Sequence, residues 1–422
     1  MTLTNTSYLE RHERRIVWLI VAFSLIMRCL TVFVLKIEPE SDYLSYDHMA
    51  RTLLGGTGMV DNNGNAAFMS AGYPLFVLTP IYALFGHSLL AAQIGNALLG
   101  GASTYLVYLL LCEMQARTVA RILGPLLFAL YIPSWIYSEY LAKENLMTPL
   151  LLLLLYLSAR LYKRPTPGAA VALGVTLGLL AITGSAALAV APVVMCAMAC
   201  AKASLRTRLQ AAAIVALAVV IVLAPWQYRN AQVVGSPVNN TNGGFNLYLG
   251  NNPNADGLFV SIVDTPMGAQ WKALRAQGEL QASTRLKEEA IAWISGHPVQ
   301  FVQLALKKAA LFWMPPIHQG KGQASTMETA SRLVWLVQYA VLCAFAVYTL
   351  LTIRRRNRYV VGVLAAVVFY TGVHMLFYVV FRYREPIMPL VILLAAIGVE
   401  SLASRFGRTA VATDTVAAPE RR

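Results

Sequence analysis

About ten stretches of near-uncharged sequence, each approaching the length of a bilayer crossing, follow one another along this chain with two long interruptions. A crossing takes roughly 20 apolar residues, and the absence of water in the hydrocarbon forces every backbone N–H and C=O to pair inside the segment, which selects helix. The stretches are Arg15 to Lys36, Ser88 to Cys112, Val119 to Trp135, Leu141 to Tyr162, Gly168 to Thr183, Ala186 to Ala201, Leu209 to Trp226, Leu333 to Ile353, Tyr359 to Val380 and Pro386 to Ala403. The fifth and sixth are short, and two short spans or a re-entrant hairpin around Thr183-Gly-Ser185 account for them equally without changing the parity of the topology. With 57% hydrophobic and 13% charged residues in 422, a water-soluble fold is excluded. The expected class is an all-α polytopic membrane protein, one domain over 1–403 with a cytoplasmic polar tail at 404–422.

Cytoplasmic loops retain Lys and Arg, and this orients the chain. Every second connection is basic: Arg11, Arg14 and Arg15; Arg117 and Arg121; Arg160, Lys163 and Arg164; Lys202, Arg206 and Arg208; Arg354, Arg355, Arg356 and Arg358; Arg405 and Arg408. Both termini are therefore expected inside. The net charge of +14 is absorbed by this bias, so no nucleic-acid partner is implied. The five cysteines fall in or at the ends of spans, giving neither a disulfide framework nor a zinc knuckle. The first apolar run lacks a small-residue cleavage site and reads as a retained span. A phosphate-cradling glycine loop, a paired-histidine motif and the internal repeats of secondary transporters are all missing from the sequence.

Two outer loops, 37–87 and 227–332, hold the polar residues that topology does not explain. The first contains an amphipathic piece from Tyr43 to Leu54, the turn Gly55-Gly-Thr-Gly58, and an apolar piece from Tyr73 to Phe85, both helical pieces expected in the membrane interface. The second carries Asn/Gly-rich turns before a soluble helix from Ser283 to Ser295 and an interfacial helix from Val299 to Trp313.

Asp42 lies in the first polar segment after the first span, where a carboxylate is costly unless paired, hydrated or used. It also stands where an N-cap of the helix beginning at Tyr43 belongs, a structural role that is compatible with a functional one. Asp47 lies on another face of that helix and reads as solvated or structural, and His48 has no metal partner in the sequence. Glu139 and Glu144 head a leucine-rich span; Glu139 has Lys143 within pairing distance, while Glu144 has no local partner. Arg229, Lys307, Lys308, Arg382 and Arg384 sit at predicted outer boundaries. They either hold a phosphate or snorkel to lipid headgroups. Tyr46 and Tyr73 belong to an interface belt or stack on a sugar, and the Asn246 region is a set of turns whose amides could equally line a sugar site.

The order of these features resembles a family. Asp42, Tyr46 and Ala50, then Gly55 and Gly56, Ala71-Gly-Tyr-Pro-Leu75, Ser138-Glu139 to Glu144, Pro225-Trp226 to Arg229-Asn230, Gly243-Gly-Phe-Asn246 with Gly250-Asn-Asn-Pro253, and Arg382-Tyr-Arg384 are similar to the GT-C membrane glycosyltransferases. Within them, the branch of protein O-mannosyltransferases and lipid A aminoarabinose transferases is the nearest in pattern. That branch usually carries an Asp-Glu pair where this chain has Asp42-Tyr43, and its lysine-proline motif of the first loop is replaced here by Phe68-Met-Ser-Ala-Gly-Tyr-Pro74. The resemblance implies an inverting transfer of a sugar from a polyprenyl-phosphate carrier to an acceptor hydroxyl on the periplasmic side of the inner membrane. Undecaprenyl phosphate is the carrier a bacterial source would supply, and the acceptor is a lipid, glycan or protein. It further implies Asp42 as catalytic base, Glu144 as a second acidic group orienting the acceptor or binding a metal, and Tyr46, Tyr73, Arg229, Asn246, Lys307, Arg382 and Arg384 as substrate-binding residues. A divalent metal suits the outer carboxylates, although no ligand spacing demands one. The competing readings are a polyprenyl-lipid or solute transporter, which should place polar residues near mid-span where this chain reads as almost purely apolar, and a non-catalytic lipid-binding assembly protein.

Overall fold

The computed structural model describes residues 3–315, 326–352 and 357–416. Arg354 to Arg356 of the basic inner connection and the last residues of the tail lie outside them. α1 (Leu3–Leu35) leads into the first outer loop, which forms α2 (Ser41–Leu54), a π-helical turn at Pro74–Leu78 and α3 (Thr79–Phe85). Then come α4 (Leu89–Glu113), α5 (Thr118–Leu130), the short α6 (Ile132–Ile136), α7 (Glu144–Lys163), α8 (Pro167–Thr183), α9 (Ala191–Ala199) and α10 (Leu205–Val234). The second outer loop holds α11 (Gly243–Gly250), α12 (Trp271–Ala276), α13 (Glu279–Gly296) and α14 (Pro298–Trp313). The chain continues through α15 (Thr326–Thr352), α16 (Arg358–His374) and α17 (Met388–Val416), the last extending into the stretch that reads as a polar tail. Among the described residues, β structure is limited to one isolated bridge between Leu258 and Val379.

Among the described residues, six segments are long and apolar enough to cross a bilayer: Tyr8–Leu35, Leu89–Glu113, Glu144–Lys163, Leu205–Val234, Thr329–Thr352 and Phe381–Arg405. The remaining expected spans are shorter apolar helices. α5 has 13 residues, and at 1.5 Å per residue a helix of that length reaches about 20 Å, short of a hydrocarbon core of about 30 Å. It ends at Tyr131, whose backbone is extended, and the chain resumes as α6 with a proline in its first turn, so the expected span Val119 to Trp135 is two helices. The stretch from 168 to 201 likewise divides at Gly184 into α8, a 3-10 turn at Ser185–Val190, and α9.

Burial separates core spans from peripheral ones. The apolar windows of Glu144–Lys163 and Phe381–Arg405 are 67% buried, against 22% for Leu205–Val234 and 33% for Tyr8–Leu35. The reason is visible in α7: its leucines occupy every face, so it is stable only when surrounded, and α4 and α8 pack against it while α5 and α15 pack against α17. At the end carrying the basic residues, Arg121 pairs with Glu13 and Lys163 with Glu113, each at 2.8 Å.

The two outer loops close over the opposite end and are tied to each other. The Glu279 carboxylate accepts from the Ala66 and Ala67 amides at 2.9 and 3.1 Å and from the Thr241 hydroxyl at 2.7 Å. The first loop seats on α8 through Gly72, where an added Cβ would stand 2.7 Å from the Thr183 backbone nitrogen and 2.2 Å from its Oγ1. Thr183 is fully buried and cannot retreat. Gly72→Ala is therefore expected to destabilise by about 1–3 kcal/mol, as overpacked cores do. Thermal unfolding of the detergent-purified protein checks this, and an unchanged midpoint would show that the loop has room to shift.

Candidate active site

α2 lies with Tyr46, Met49 and Ala50 buried on one face, against Tyr73, Leu78 and Tyr82 of the following apolar piece. Asp42 stands one helical turn before Tyr46 on that same face, so burying the apolar stripe also turns this carboxylate toward the membrane body. Asp42 does not cap the helix: the N-cap is Glu40, and no side chain makes a capping bond there. Its partner is Arg382, which enters from the 3-10 turn Phe381–Ile387 that precedes α17 and forms a close ion pair with it.

A second carboxylate completes the group. Glu144, in the first turn of α7, approaches Arg382 Nε at 3.7 Å. The Arg382 guanidinium lies over the ring of Tyr43 at 5.2 Å and of Tyr383 at 5.8 Å, and its Nη1 donates to the Tyr43 hydroxyl at 3.2 Å. Burial pushes the Tyr43 hydroxyl's pKa up, with Arg382 opposing. The two acids are not equivalent: the Asp42 side chain keeps 38% of its exposure and that of Glu144 only 5%. Asp42 is thus the carboxylate an incoming group can reach, while Glu144 holds the cation from behind.

The other expected residues have different occupations. Arg384, expected beside Arg382 in a phosphate cradle, donates to the carbonyls of Phe312 and Met314 at 3.3 and 2.9 Å and lies over the ring of Tyr339 at 4.7 Å. Two residues along a 3-10 turn rotate about 240°, which places neighbouring arginines of one motif on different sides. Arg229 donates to the Ala66 and Met59 carbonyls at 2.6 and 2.9 Å and lies on Trp226, so it fastens the first loop to α10. Tyr46 meets Tyr73 edge-on at 5.9 Å, and the Tyr73 hydroxyl donates to Asn96 at 2.8 Å, so both are packed inside. Asn246 accepts from the Tyr378 hydroxyl at 3.3 Å. Lys307 is exposed. Asp47 is buried, not solvated, and accepts from Tyr82 and His87 at 2.7 and 2.8 Å. His48 contacts the Val60 carbonyl at 3.0 Å. Glu139 is buried with Gln93 at 3.1 Å in place of Lys143, and burial pushes its pKa up.

Lys308 is wholly buried, with Nζ donating to Asn251 at 3.0 Å. Burial lowers its pKa from 10.5 to about 8. The folded chain then binds fewer protons than the unfolded chain between those values, so this group makes stability rise with pH from about 8 to 10.5. Lys308→Met should lack that rise. In paired unfolding scans the difference between the two proteins should move in favour of wild type across this window, and a difference independent of pH would contradict the assignment.

One polar feature was missed by the mid-span reading. Arg28 of α1 is fully buried inside the helix bundle, bonded to Ser24 and to Ser134 Oγ at 3.0 Å, with no hydrogen-bond partner at Nε. It shares a cavity of about 40 Å³ with Glu144, Tyr137 and Glu385, directly behind the Asp42 group. The cation is visible in the first apolar stretch, but its room comes from α4, where a Cβ on Gly100 would stand 2.2 Å from Arg28 Nε.

Among the described residues, no three of His, Cys, Asp and Glu converge as metal ligands. The Asp42 and Glu144 carboxylates face a guanidinium, and as arranged they do not fit a divalent ion unless Arg382 withdraws.

No family model and no curated sequence matches the chain. Solved structures do. The oligosaccharyltransferase AglB of Archaeoglobus fulgidus, in complex with an inhibitory peptide and a dolichol-phosphate, superposes with a TM-score of 0.55 at 12% identity, over 97% of this chain and 52% of that one. Its apo form gives 0.54 at 12% identity with the same coverage. The fold is GT-C. ArnT from Cupriavidus metallidurans bound to undecaprenyl phosphate is similar at a TM-score of 0.46 and 14% identity, over 92% of this chain and 78% of that one. The chain spans about half the length of the oligosaccharyltransferase chains it matches.

Proposed function

We propose that this protein is an inverting glycosyltransferase that moves a sugar from a polyprenyl-phosphate carrier to an acceptor hydroxyl at the outer, periplasmic face of the inner membrane. The observation that carries this reading is the Asp42–Arg382–Glu144 group, an accessible carboxylate and an arginine held from behind by a buried one, at the membrane boundary of a GT-C fold. The oligosaccharyltransferase of the same fold was solved with a dolichol-phosphate, which is consistent with a lipid-phosphate donor here.

The chemistry follows from what each group can do. A sugar hydroxyl is a weak nucleophile, and Asp42 takes its proton as the new C–O bond forms at the anomeric carbon. The bond from that carbon to the phosphate oxygen breaks at the same time, and the electron pair leaves with the lipid phosphate. Arg382 receives the charge developing there, its planar fork matching two phosphate oxygens. At rest Arg382 pairs with Asp42, so donor phosphate competes for the guanidinium and releases the carboxylate to act as a base. Glu144 keeps Arg382 in place through the exchange.

The test is transfer of radiolabelled sugar from a panel of synthetic polyprenyl-monophosphate sugars to envelope extract, by the purified protein in proteoliposomes. Label should move to an acceptor with release of one polyprenyl phosphate per sugar. Donor binding without transfer by any member of the panel would favour an assembly role, and donor translocation without cleavage would favour transport.

A further inference from the structure

Resting on that reading, we infer that the acceptor is a saccharide and that the outer loops hold one of its neutral sugar units beside the reacting centre. A cavity of about 160 Å³ opens between the first loop and the helices of the second, lined by Asn63, Phe68, Phe245, Trp271, Arg275 and Ser283 among others. Three aromatic rings form its apolar side: Phe68 lies edge-on to Phe245 at 5.4 Å, and Phe245 meets Trp271 at 5.2 Å. Such rings give a rigid platform for the C–H face of a sugar at little entropic cost.

The polar lining selects for hydroxyls and against charge. Arg275 and Glu279 contribute opposite charges, so the cavity offers no excess to a phosphate or a carboxylate. Arg275 spends Nη2 on the Asn63 carbonyl at 3.0 Å and the Asn65 side chain at 3.3 Å while its guanidinium lies over the Trp271 ring at 5.8 Å, which leaves Nε and Nη1 to donate. Asn63 presents an amide, and Ser283, whose Oγ accepts from Gly244 N at 3.1 Å, retains its O–H to donate. A ligand bearing both donors and acceptors around an apolar face meets all of these. The volume is below the roughly 300–1,000 Å³ typical of pockets for drug-sized ligands, and suits a single ring.

Its position joins it to the reacting centre. Phe245 lies in the first turn of α11, and the next residue, Asn246, accepts from Tyr378. The Tyr378 ring contacts Tyr383 at 6.2 Å, and Tyr383 lies against Arg382. The cavity is thus linked to the Asp42 group through Asn246, Tyr378 and Tyr383, a relay of two rings that suits an acceptor of several sugar units with one held in the cavity and the reacting hydroxyl further along the chain.

Saturation-transfer NMR on the full chain in nanodiscs tests this, using methyl glycosides of glucose, galactose, mannose and N-acetylglucosamine, with a serine/threonine-rich peptide as competitor. At least one glycoside should bind wild type and Asp42→Asn equally, because binding here does not need the base. Trp271→Ala and Arg275→Ala should weaken it about tenfold or more, and Trp271→Phe should keep most of it. Binding unaffected by Trp271→Ala, no glycoside bound by wild type, or displacement by the peptide would each overturn the saccharide subsite. Failure of the enzymatic reading looks different: glycoside would bind as expected while Asp42→Asn transferred sugar at the wild-type rate.

Discussion

Asp42→Asn should lower sugar transfer about 10²- to 10⁴-fold, the range that a positioned general base contributes. The substitution keeps the shape and an oxygen for Arg382 while removing the group that can hold the acceptor's proton. Asp42 is the exposed end of the cluster, with 38% of its side-chain surface open, so losing its charge leaves no buried ion unpaired and the protein should reach wild-type abundance. Steady-state transfer per mole of purified protein is the measurement. Equal turnover by the two proteins would remove Asp42 from the mechanism.

Arg382→Gln should be damaging in two separable ways. Glu144 retains only 5% of its side-chain surface, and removing the cation strands that carboxylate in the bundle, which typically costs about 3–5 kcal/mol. The variant should also lose donor affinity, since Arg384 and Arg229, the other arginines expected to hold phosphate, are bonded to main-chain carbonyls. The double variant Glu144→Gln with Arg382→Gln should recover much of the unfolding midpoint, because neither partner then carries an unpaired charge, while transfer stays lost. Arg382→Lys should keep stability better than Arg382→Gln and still bind donor weakly, because a lysine lacks the bidentate fork. If the double variant were no more stable than Arg382→Gln, the pairing with Glu144 would carry no energy.

Much of this architecture is legible in the chain because hydropathy and helix periodicity act locally. The long apolar helices and the loop helices α2, α13 and α14 all follow from runs of apolar residues read at the helical repeat. Span ends are less legible: the division at Gly184 falls at the expected Thr183-Gly-Ser185 turn, but the break at Tyr131 depends on how short helices meet their neighbours. Asp42 and Glu144 stand out because carboxylates at span boundaries are expensive, whereas Arg382 is marked only as one of five boundary cations with Arg229, Lys307, Lys308 and Arg384. What the reasoning could not supply is direction. Arg382 and Arg384 belong to one motif, but only the packing of the 3-10 turn against α14 sends one toward α2 and the other to the carbonyls of Phe312 and Met314. Arg28 is visible as a lone charge in an apolar run, yet its setting is assembled from Ser134 and Gly100, far away in sequence. The outer cavity is a stronger case still, since it joins residues from 63 to 283.

The central claim is that an accessible carboxylate takes the proton while an adjacent guanidinium receives the lipid phosphate. Single-turnover transfer with the donor pre-bound separates the two roles in one experiment on wild type, Asp42→Asn and Arg382→Lys. The account predicts that Asp42→Asn binds donor at least as tightly as wild type but slows the chemical step by two orders of magnitude or more, and that Arg382→Lys weakens donor binding. A chemical step in Asp42→Asn as fast as that of wild type, with donor fully bound, would contradict it.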